Sequence, residues 1–148
     1  MDKLAADFPK ARIVFQNFPL GNAQWKGSVP AAAYGVCVAK QGGSDAFFTY
    51  ASAVFDGQAG LVSEDGVTLT LNSAVVKAGL DPAKVAACAS TPATAAAIEA
   101  SRKLAADLNV NETPTLIING RELSATIPYD TIKKAILYQA QLDGVTAQ

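Results

Sequence analysis

Histidine is absent from this sequence of 148 residues, which also contains only one methionine, one tryptophan and two cysteines. Histidine is the most frequent general base in enzymes and the most frequent metal ligand in proteins. Its absence excludes enzymes that use a Ser-His-Asp triad or a Cys-His pair. We also expect no metal site and no bound cofactor.

An excess of one charge and a long apolar run are also absent. Basic residues number 12 and acidic residues 13, so no basic surface can neutralise phosphates and we expect no nucleic-acid binding. The longest apolar stretch, Val29–Ala39, reaches half of the roughly 20 residues that span a bilayer. Residues 1–12 include several charged side chains and lack the apolar core of a secretory signal. We therefore expect a soluble chain without an export signal, in which Met1 is either the natural start or an added one.

Cysteine is scarce, and its spacing matches no common motif. Cys37 and Cys88 are too far apart for a CxxC redox pair or a zinc knuckle. Three interpretations remain open: two buried thiols, a structural disulfide that implies an oxidising compartment, or a reactive thiol. A disulfide that closes this loop would stabilise the fold by about 3–4 kcal/mol.

The composition and the apolar periodicity indicate one domain of mixed class. Half of the residues are hydrophobic, and many of these are alanine, which favours closely packed helices. Apolar spacing predicts the end of a helix, a strand, a block of helices, a β-hairpin and a closing helix. The predicted helices are 2–8, 29–40, 45–56, 68–78, a short helix after residue 81, 92–108 and 129–142; the predicted strands are 12–18, 115–118 and 121–125.

Short sequence signals set the boundaries of several elements. Ser28 is a candidate N-cap for the helix at 29–40, and the Gln-Gly-Gly sequence at 41–43 ends that helix. Residues 56–66 are predicted to form a loop. Two further helices begin with a capping residue followed by proline, and one turn has the Asn-Gly sequence of two-residue hairpins. These pairs are Asp81-Pro82, Thr91-Pro92 and Asn119-Gly120.

The order of elements around Pro114 resembles a known family. A strand and a large helical block precede a Thr-Pro pair, an apolar strand, an Asn-Gly turn, a return strand and a helix that begins Pro-Tyr. This order is similar to the DsbA-like thiol–disulfide oxidoreductases of the thioredoxin superfamily. The matching segments are FPKARIVFQNFPL, LAADLNVNETPTLIINGREL and IPYDTIKKAI. The stretches YGVCVAKQGG and DPAKVAACA resemble the DsbA-like domains associated with vitamin K epoxide reductase-type membrane enzymes.

The resemblance implies an α/β fold, thioredoxin-like with a large helical insertion. The thioredoxin core would comprise residues 1–20 and 109–148 of a single incomplete domain, and the insertion residues 21–108. The Thr113–Pro114 bond would be cis, and these two residues would bind substrate. The Thr113 backbone would pair with an extended client peptide, and its side chain would tune a neighbouring thiolate. The alternative is an ordinary trans proline at the start of a strand.

One departure from the family concerns the redox cysteines. The family's CxxC lies at the N-terminus of the helix that precedes FPKARIVF, where the helix dipole lowers the pKa of the thiol. The 148 residues begin within the last two turns of that helix, so the CxxC and the N-terminal strands are not among them. By resemblance, Cys37 and Cys88 lie in the insertion and cannot replace the CxxC, so no catalytic residue is assigned.

The strand missing from these residues would lie between 12–18 and 115–119 in the thioredoxin arrangement. Unpaired backbone groups in a buried gap cost about 1–3 kcal/mol each, so the gap cannot remain open. Either the two remaining strands pair directly, or a second copy shares strands, or a segment outside these residues occupies the place.

The resemblance implies two possible functions, and a third hypothesis places the chain outside the superfamily. The first is a domain of a DsbA-like oxidoreductase acting on protein thiols, inactive alone. The alternative is a non-catalytic interaction module, and the third an unrelated small α/β domain. The expected partners are an extended client peptide or a redox partner, a second copy bound through the unpaired sheet edge, and a membrane quinone-linked reductase. The family implies a periplasmic or other extracytoplasmic location.

Overall fold

The computed structural model describes residues 2–21, 26–124 and 127–146. The helices are α1 (Asp2–Asp7), α2 (Ser28–Asp56), α3 (Glu64–Lys77), α4 (Pro82–Ala89), α5 (Pro92–Asp107) and α6 (Tyr129–Leu142), with a 3-10 helix at Gln58–Val62; the strands are β1 (Thr115–Ile118) and β2 (Arg121–Ser124). The chain divides into two compact units. The terminal unit is Met1–Gln16 with Asn109–Gln148, and the helical unit is Asn17–Leu108.

Helix α2 is two helical arms that fold back on each other at Gly43. Gly43 has φ 75° and ψ −166°, which is not a helical conformation. The Tyr50 hydroxyl donates a hydrogen bond to the Ala31 carbonyl oxygen at 2.9 Å, so the second arm packs against the first. Burial of Tyr50 raises the pKa of its hydroxyl. The expected end of the first helix at 41–43 is therefore confirmed.

We predict that Gly43→Ala lowers the free energy of unfolding by about 1–3 kcal/mol, because the backbone conformation at Gly43 is open essentially to glycine alone. Steric crowding plays no part, since a Cβ at this position would meet no atom within 4 Å. Urea unfolding monitored by circular dichroism measures the change. Gly21→Ala is the control, because the φ of Gly21 is outside the left-handed region and a Cβ there would be in ordinary contact with the end of the Arg102 side chain, at 3.6 Å. An equal loss in both variants would contradict a special cost at Gly43.

The core of the helical unit lies where α2 packs against α3, α4 and α5. The helices contribute apolar side chains at helical spacing, and most of these side chains are small or β-branched. The most deeply buried of these side chains are Cys37, Val38, Leu71, Val75 and Val85.

The capped starts of α4 and α5 agree with the sequence. The Asp81 carboxylate accepts a hydrogen bond from the Ala83 amide at 2.9 Å, and Pro82 occupies the first turn. The Thr91 hydroxyl accepts from the Thr94 amide at 3.3 Å, and Pro92 follows it. Both predicted helix starts are confirmed. Proline is favoured at this position because an N–H group there would have no acceptor within the helix.

Two predicted helix boundaries were wrong, because a different residue caps each helix. Gly27, and not Ser28, is the N-cap of α2, and the Ser28 hydroxyl instead accepts a hydrogen bond from the Leu20 amide at 2.9 Å. Helix α3 begins at Glu64 rather than 68, because the Ser63 hydroxyl caps it by accepting from the Gly66 amide at 3.2 Å. The predicted loop at 56–66 therefore contains the 3-10 helix and the first turn of α3.

The β-hairpin forms as predicted. Strands β1 and β2 are antiparallel, with Thr115 opposite Ser124 and Ile118 opposite Arg121. Asn119 and Gly120 have φ values of 47° and 80°, and two consecutive positive φ angles are what a type I′ turn requires. Ala125, the last residue of the predicted return strand, lies outside the described residues.

The predicted strand at 12–18 is wrong. Burial alternates as expected, because Ile13, Phe15 and Asn17 are half-buried while the residues between them are exposed. The alternation predicts an extended backbone, but a strand also needs a neighbour with which to form a ladder. In the described ranges the one sheet consists of β1 and β2. Direct pairing of 12–18 with β1 therefore does not occur.

Candidate functional site

The segment before β1 carries the clearest backbone feature of the terminal unit. The Thr113–Pro114 peptide bond is cis, as the resemblance predicted. Both residues are exposed. The Thr115 hydroxyl donates a hydrogen bond to the Glu112 carbonyl oxygen at 2.8 Å, which holds the chain on the two sides of the cis bond together.

The edge of β1 that faces away from β2 continues this segment. In a two-residue hairpin the residues that flank the turn form a hydrogen-bonded pair, and the pairing then alternates along the strands. Ile118 and Leu116 therefore direct their backbone groups toward β2. Thr115 and Ile117 direct their N–H and C=O groups to the opposite edge, where the sheet within the described residues has no third strand. Such an edge can accept another extended chain.

Asp7 connects the first and last helices of the terminal unit. Its carboxylate accepts hydrogen bonds from the Tyr129 hydroxyl and the Lys133 ammonium group, each at 2.9 Å. The Tyr129 hydroxyl also lies 3.1 Å from the Lys3 carbonyl oxygen, and the Lys3 ammonium group lies 4.3 Å from the centre of the Tyr129 ring. These contacts fix α1 against α6.

The pKa values of Asp7 and Tyr129 are shifted in opposite directions. The hydrogen bonds from Lys133 and then from Tyr129 lower the pKa of the Asp7 carboxyl. Desolvation, followed by the hydrogen bond to Asp7, raises the pKa of the Tyr129 hydroxyl. No local sequence pattern indicates these contacts, because Asp7 is more than a hundred positions from Tyr129 and Lys133.

We predict that acid removes the stabilisation that Asp7 provides. Its pKa in the folded chain is below the unfolded value of 3.8, so the contribution is complete above that pH and is lost as the pH falls through the folded pKa. Asp7→Asn should therefore be less stable than the native chain at neutral pH, and the difference should shrink below about pH 4. Urea unfolding across this pH range measures it. Glu122→Gln, which removes an exposed carboxylate of the same unit, should show no such convergence.

Helix α6 also holds the hairpin. The Asn119 side-chain amide donates to the Asp143 carboxylate, just after the end of α6. The Arg121 guanidinium donates to the Gln139 side-chain oxygen. Both contacts place polar groups of the turn and of β2 against the C-terminal part of α6, so the same helix supports α1 and the hairpin.

The two cysteines form a disulfide in the helical unit. Cys37 in α2 is bonded to Cys88 in α4, with a Cα–Cα distance of 5.9 Å, and no cysteine is free. Of the three interpretations left open by the sequence, the structure bears out the disulfide. The Thr94 hydroxyl lies 3.4 Å from the Cys37 sulfur, a contact that no sequence motif indicates.

The described residues offer neither a metal site nor a membrane span. Within residues 2–21, 26–124 and 127–146, no group of three or more cysteine, aspartate or glutamate side chains could hold a metal ion. None of the helices in these ranges is long and apolar enough to cross a bilayer.

Comparison with known proteins assigns the chain to a family. No curated protein and no solved structure shows significant similarity to it. A family model described as Thioredoxin matches residues 3–137, which is most of the chain. This match agrees with the Thr113–Pro114 segment, the hairpin and the closing helix, and it makes the sequence-based expectation of a thioredoxin-like fold correct. The chain belongs to the thioredoxin family.

Proposed function

We propose that this chain provides the peptide-binding part of a DsbA-like thiol–disulfide oxidoreductase that acts on protein thiols. The observation that carries the proposal is the exposed Thr113–Pro114 segment leading into the open edge of β1. An extended client segment would add to this edge as a further strand, with the backbone of Thr113 as its first partner. In the 148-residue chain, the outward N–H and C=O groups of Thr115 and Ile117 would continue the pairing. In the complete domain these groups would pair with the N-terminal strand that is not among these residues, and the client would pair at Thr113.

The redox cysteine pair would come from residues outside these 148. The chain contains two cysteines, and both are used in one disulfide within the helical unit. We accordingly propose that the terminal unit is the thioredoxin core and that the helical unit is an insertion within the same domain. An extracytoplasmic location fits this proposal, because disulfides persist mainly in oxidising compartments. A quinone-linked membrane reductase of the vitamin K epoxide reductase type is the redox partner that the family resemblance suggests.

The edge of β1 can be tested with two proline substitutions in the same hairpin. Ile117→Pro removes an N–H that points away from β2, whereas Glu122→Pro removes the equivalent N–H on the outer edge of β2. Neither substitution removes a hydrogen bond between the two strands. We expect Ile117→Pro to abolish binding of an S-carboxymethylated, permanently unfolded protein, and Glu122→Pro to leave binding unchanged. Hydrogen exchange of the full chain with this ligand should show protection at Thr115 and Ile117.

Equal loss of binding in both variants, or protection confined to other segments, would contradict the proposed edge. Insulin reduction by the 148-residue chain should not exceed the background rate. Clear turnover would show that the Cys37–Cys88 pair performs the chemistry that we assign to cysteines elsewhere.

A non-catalytic interaction module is the second candidate, supported by the incorporation of both cysteines into a disulfide. In that case the open edge of β1 would pair with a second copy of the chain. The genomic DNA upstream of the Met1 codon distinguishes the two candidates. An in-frame strand followed by CxxC supports the oxidoreductase, and a stop codon close upstream supports the module. Light scattering at several concentrations then tests for the dimer.

A further inference from the structure

The two cysteines of the disulfide differ in their exposure to solvent. Cys37 is fully buried at 0% exposure, whereas Cys88 is only half-buried, in the last turn of α4. Thiol–disulfide exchange requires a thiolate to reach one sulfur and the other sulfur to leave. Access therefore favours attack at Cys88 and departure of Cys37.

A buried hydroxyl group lies beside the sulfur that would leave. Thr94 is 4% exposed, and its Oγ1 is 3.4 Å from the Cys37 sulfur and 3.9 Å from the Cys88 sulfur. Thr94 is in the first turn of α5, where the helix dipole also favours negative charge. A thiolate that forms on Cys37 would lie within reach of the Thr94 hydroxyl and near the N-terminus of α5 without any movement of the backbone.

The Thr94 hydroxyl can change its hydrogen-bond acceptor without leaving the present acceptor unpaired. In the disulfide form the Thr94 hydroxyl donates to the Cys88 carbonyl oxygen at 2.9 Å. The same oxygen accepts from the Thr91 hydroxyl at 2.8 Å and from the Thr91 amide at 3.0 Å. If the Thr94 hydroxyl turns toward Cys37, the carbonyl oxygen keeps two donors and no buried acceptor is left unpaired.

We propose that the Cys37–Cys88 disulfide is a thiol-exchange site that small thiols open at Cys88, with Thr94 as a positioning residue for the leaving thiolate. The thiolate sulfur of a small thiol forms a bond to the Cys88 sulfur. The Cys37–Cys88 bond breaks, and its electron pair leaves on the Cys37 sulfur, which accepts the Thr94 hydrogen bond. A second thiol then attacks the small-thiol sulfur of the mixed disulfide and releases Cys88. The protein disulfide gains two electrons, and two small thiols become one disulfide. This inference does not depend on the proposed function.

The site of attack can be mapped with glutathione on the full chain. No other cysteine is present, so every adduct must come from this pair. Acid quenching after brief exposure, followed by alkylation and peptide mass spectrometry, should find glutathione on Cys88 and the alkyl group on Cys37. Glutathione on Cys37, or equal amounts on both residues, would overturn the proposed direction.

The role of Thr94 can be tested with an isosteric substitution. Thr94→Val removes the hydroxyl, and we expect reduction by glutathione to become about tenfold slower, because hydrogen bonds to charged groups have effects of this size. Thr94→Ser should restore the rate. Thr68→Val is the matched control, since Thr68 is an exposed helical threonine in α3.

A second readout separates positioning from a purely structural role. In the Cys88→Ser background, the ultraviolet absorbance of the thiolate reports the pKa of Cys37 directly. Adding Thr94→Val should raise this pKa, and adding Thr68→Val should not. An unchanged pKa, or an unchanged reduction rate with Thr94→Val in the native background, would overturn the role of Thr94.

Discussion

Replacing both Cys37 and Cys88 with alanine should lower the free energy of unfolding by about 4 kcal/mol. The bridge spans 51 positions, and closing a loop of that length removes much of the conformational freedom of the unfolded chain. Alanine is preferred to serine because residue 37 is fully buried, and a hydroxyl there would need a hydrogen-bond partner. Urea unfolding monitored by helical circular dichroism measures the loss.

The reduced native chain provides an independent comparison. Full reduction should destabilise the chain by an amount similar to the double substitution, because both remove the same constraint. A loss below about 1 kcal/mol in both cases would mean that the unfolded chain is compact enough to make the bridge nearly redundant.

Leu71→Ala should lower the free energy of unfolding by about 3–5 kcal/mol. Leu71 is 1% exposed on α3, the helix that packs most extensively against α2. Removing its side chain forfeits apolar burial and leaves a cavity that the surrounding helices fill only in part.

Leu69 is a matched control on the same helix. It is 73% exposed, so Leu69→Ala makes the same chemical change without creating a cavity, and its effect should stay within about 0.5 kcal/mol. Denaturant unfolding of the two variants under one set of conditions gives the comparison. Similar losses would mean that Leu69 is covered in solution, for example by a second copy of the chain.

Local sequence signals were sufficient where the chemistry is itself local. The Asp81-Pro82 and Thr91-Pro92 pairs gave correct helix starts, and Asn119-Gly120 gave the correct turn. In each case the residue that makes the conformation favourable is within three positions of the element that it begins. The cis bond at Pro114 was expected from family resemblance and not from the residues themselves.

The features that were not predicted correctly all depend on contacts with residues outside the local segment. Ser28 was expected to cap its own helix, but its hydroxyl accepts from the Leu20 amide, a competition that helix patterns do not reveal. Residues 12–18 alternate like a strand, yet the ladder of a strand is a property of two segments. In the candidate site, the contacts of Asp7 with Tyr129 and Lys133 join the two ends of the chain, and no local pattern encodes them.

The position of the disulfide also decides how the chain would respond to a protease. The bridge joins residues 37 and 88, so the second arm of α2, the 3-10 helix at 58–62 and all of α3 lie inside the covalent loop. A single cut anywhere in this loop, including one at the exposed residues Val62 and Ser63, leaves the two fragments covalently joined. The nicked chain would run as one band in a non-reducing gel and as two bands after reduction. Intact size without a reductant is therefore no measure of an intact backbone in this protein.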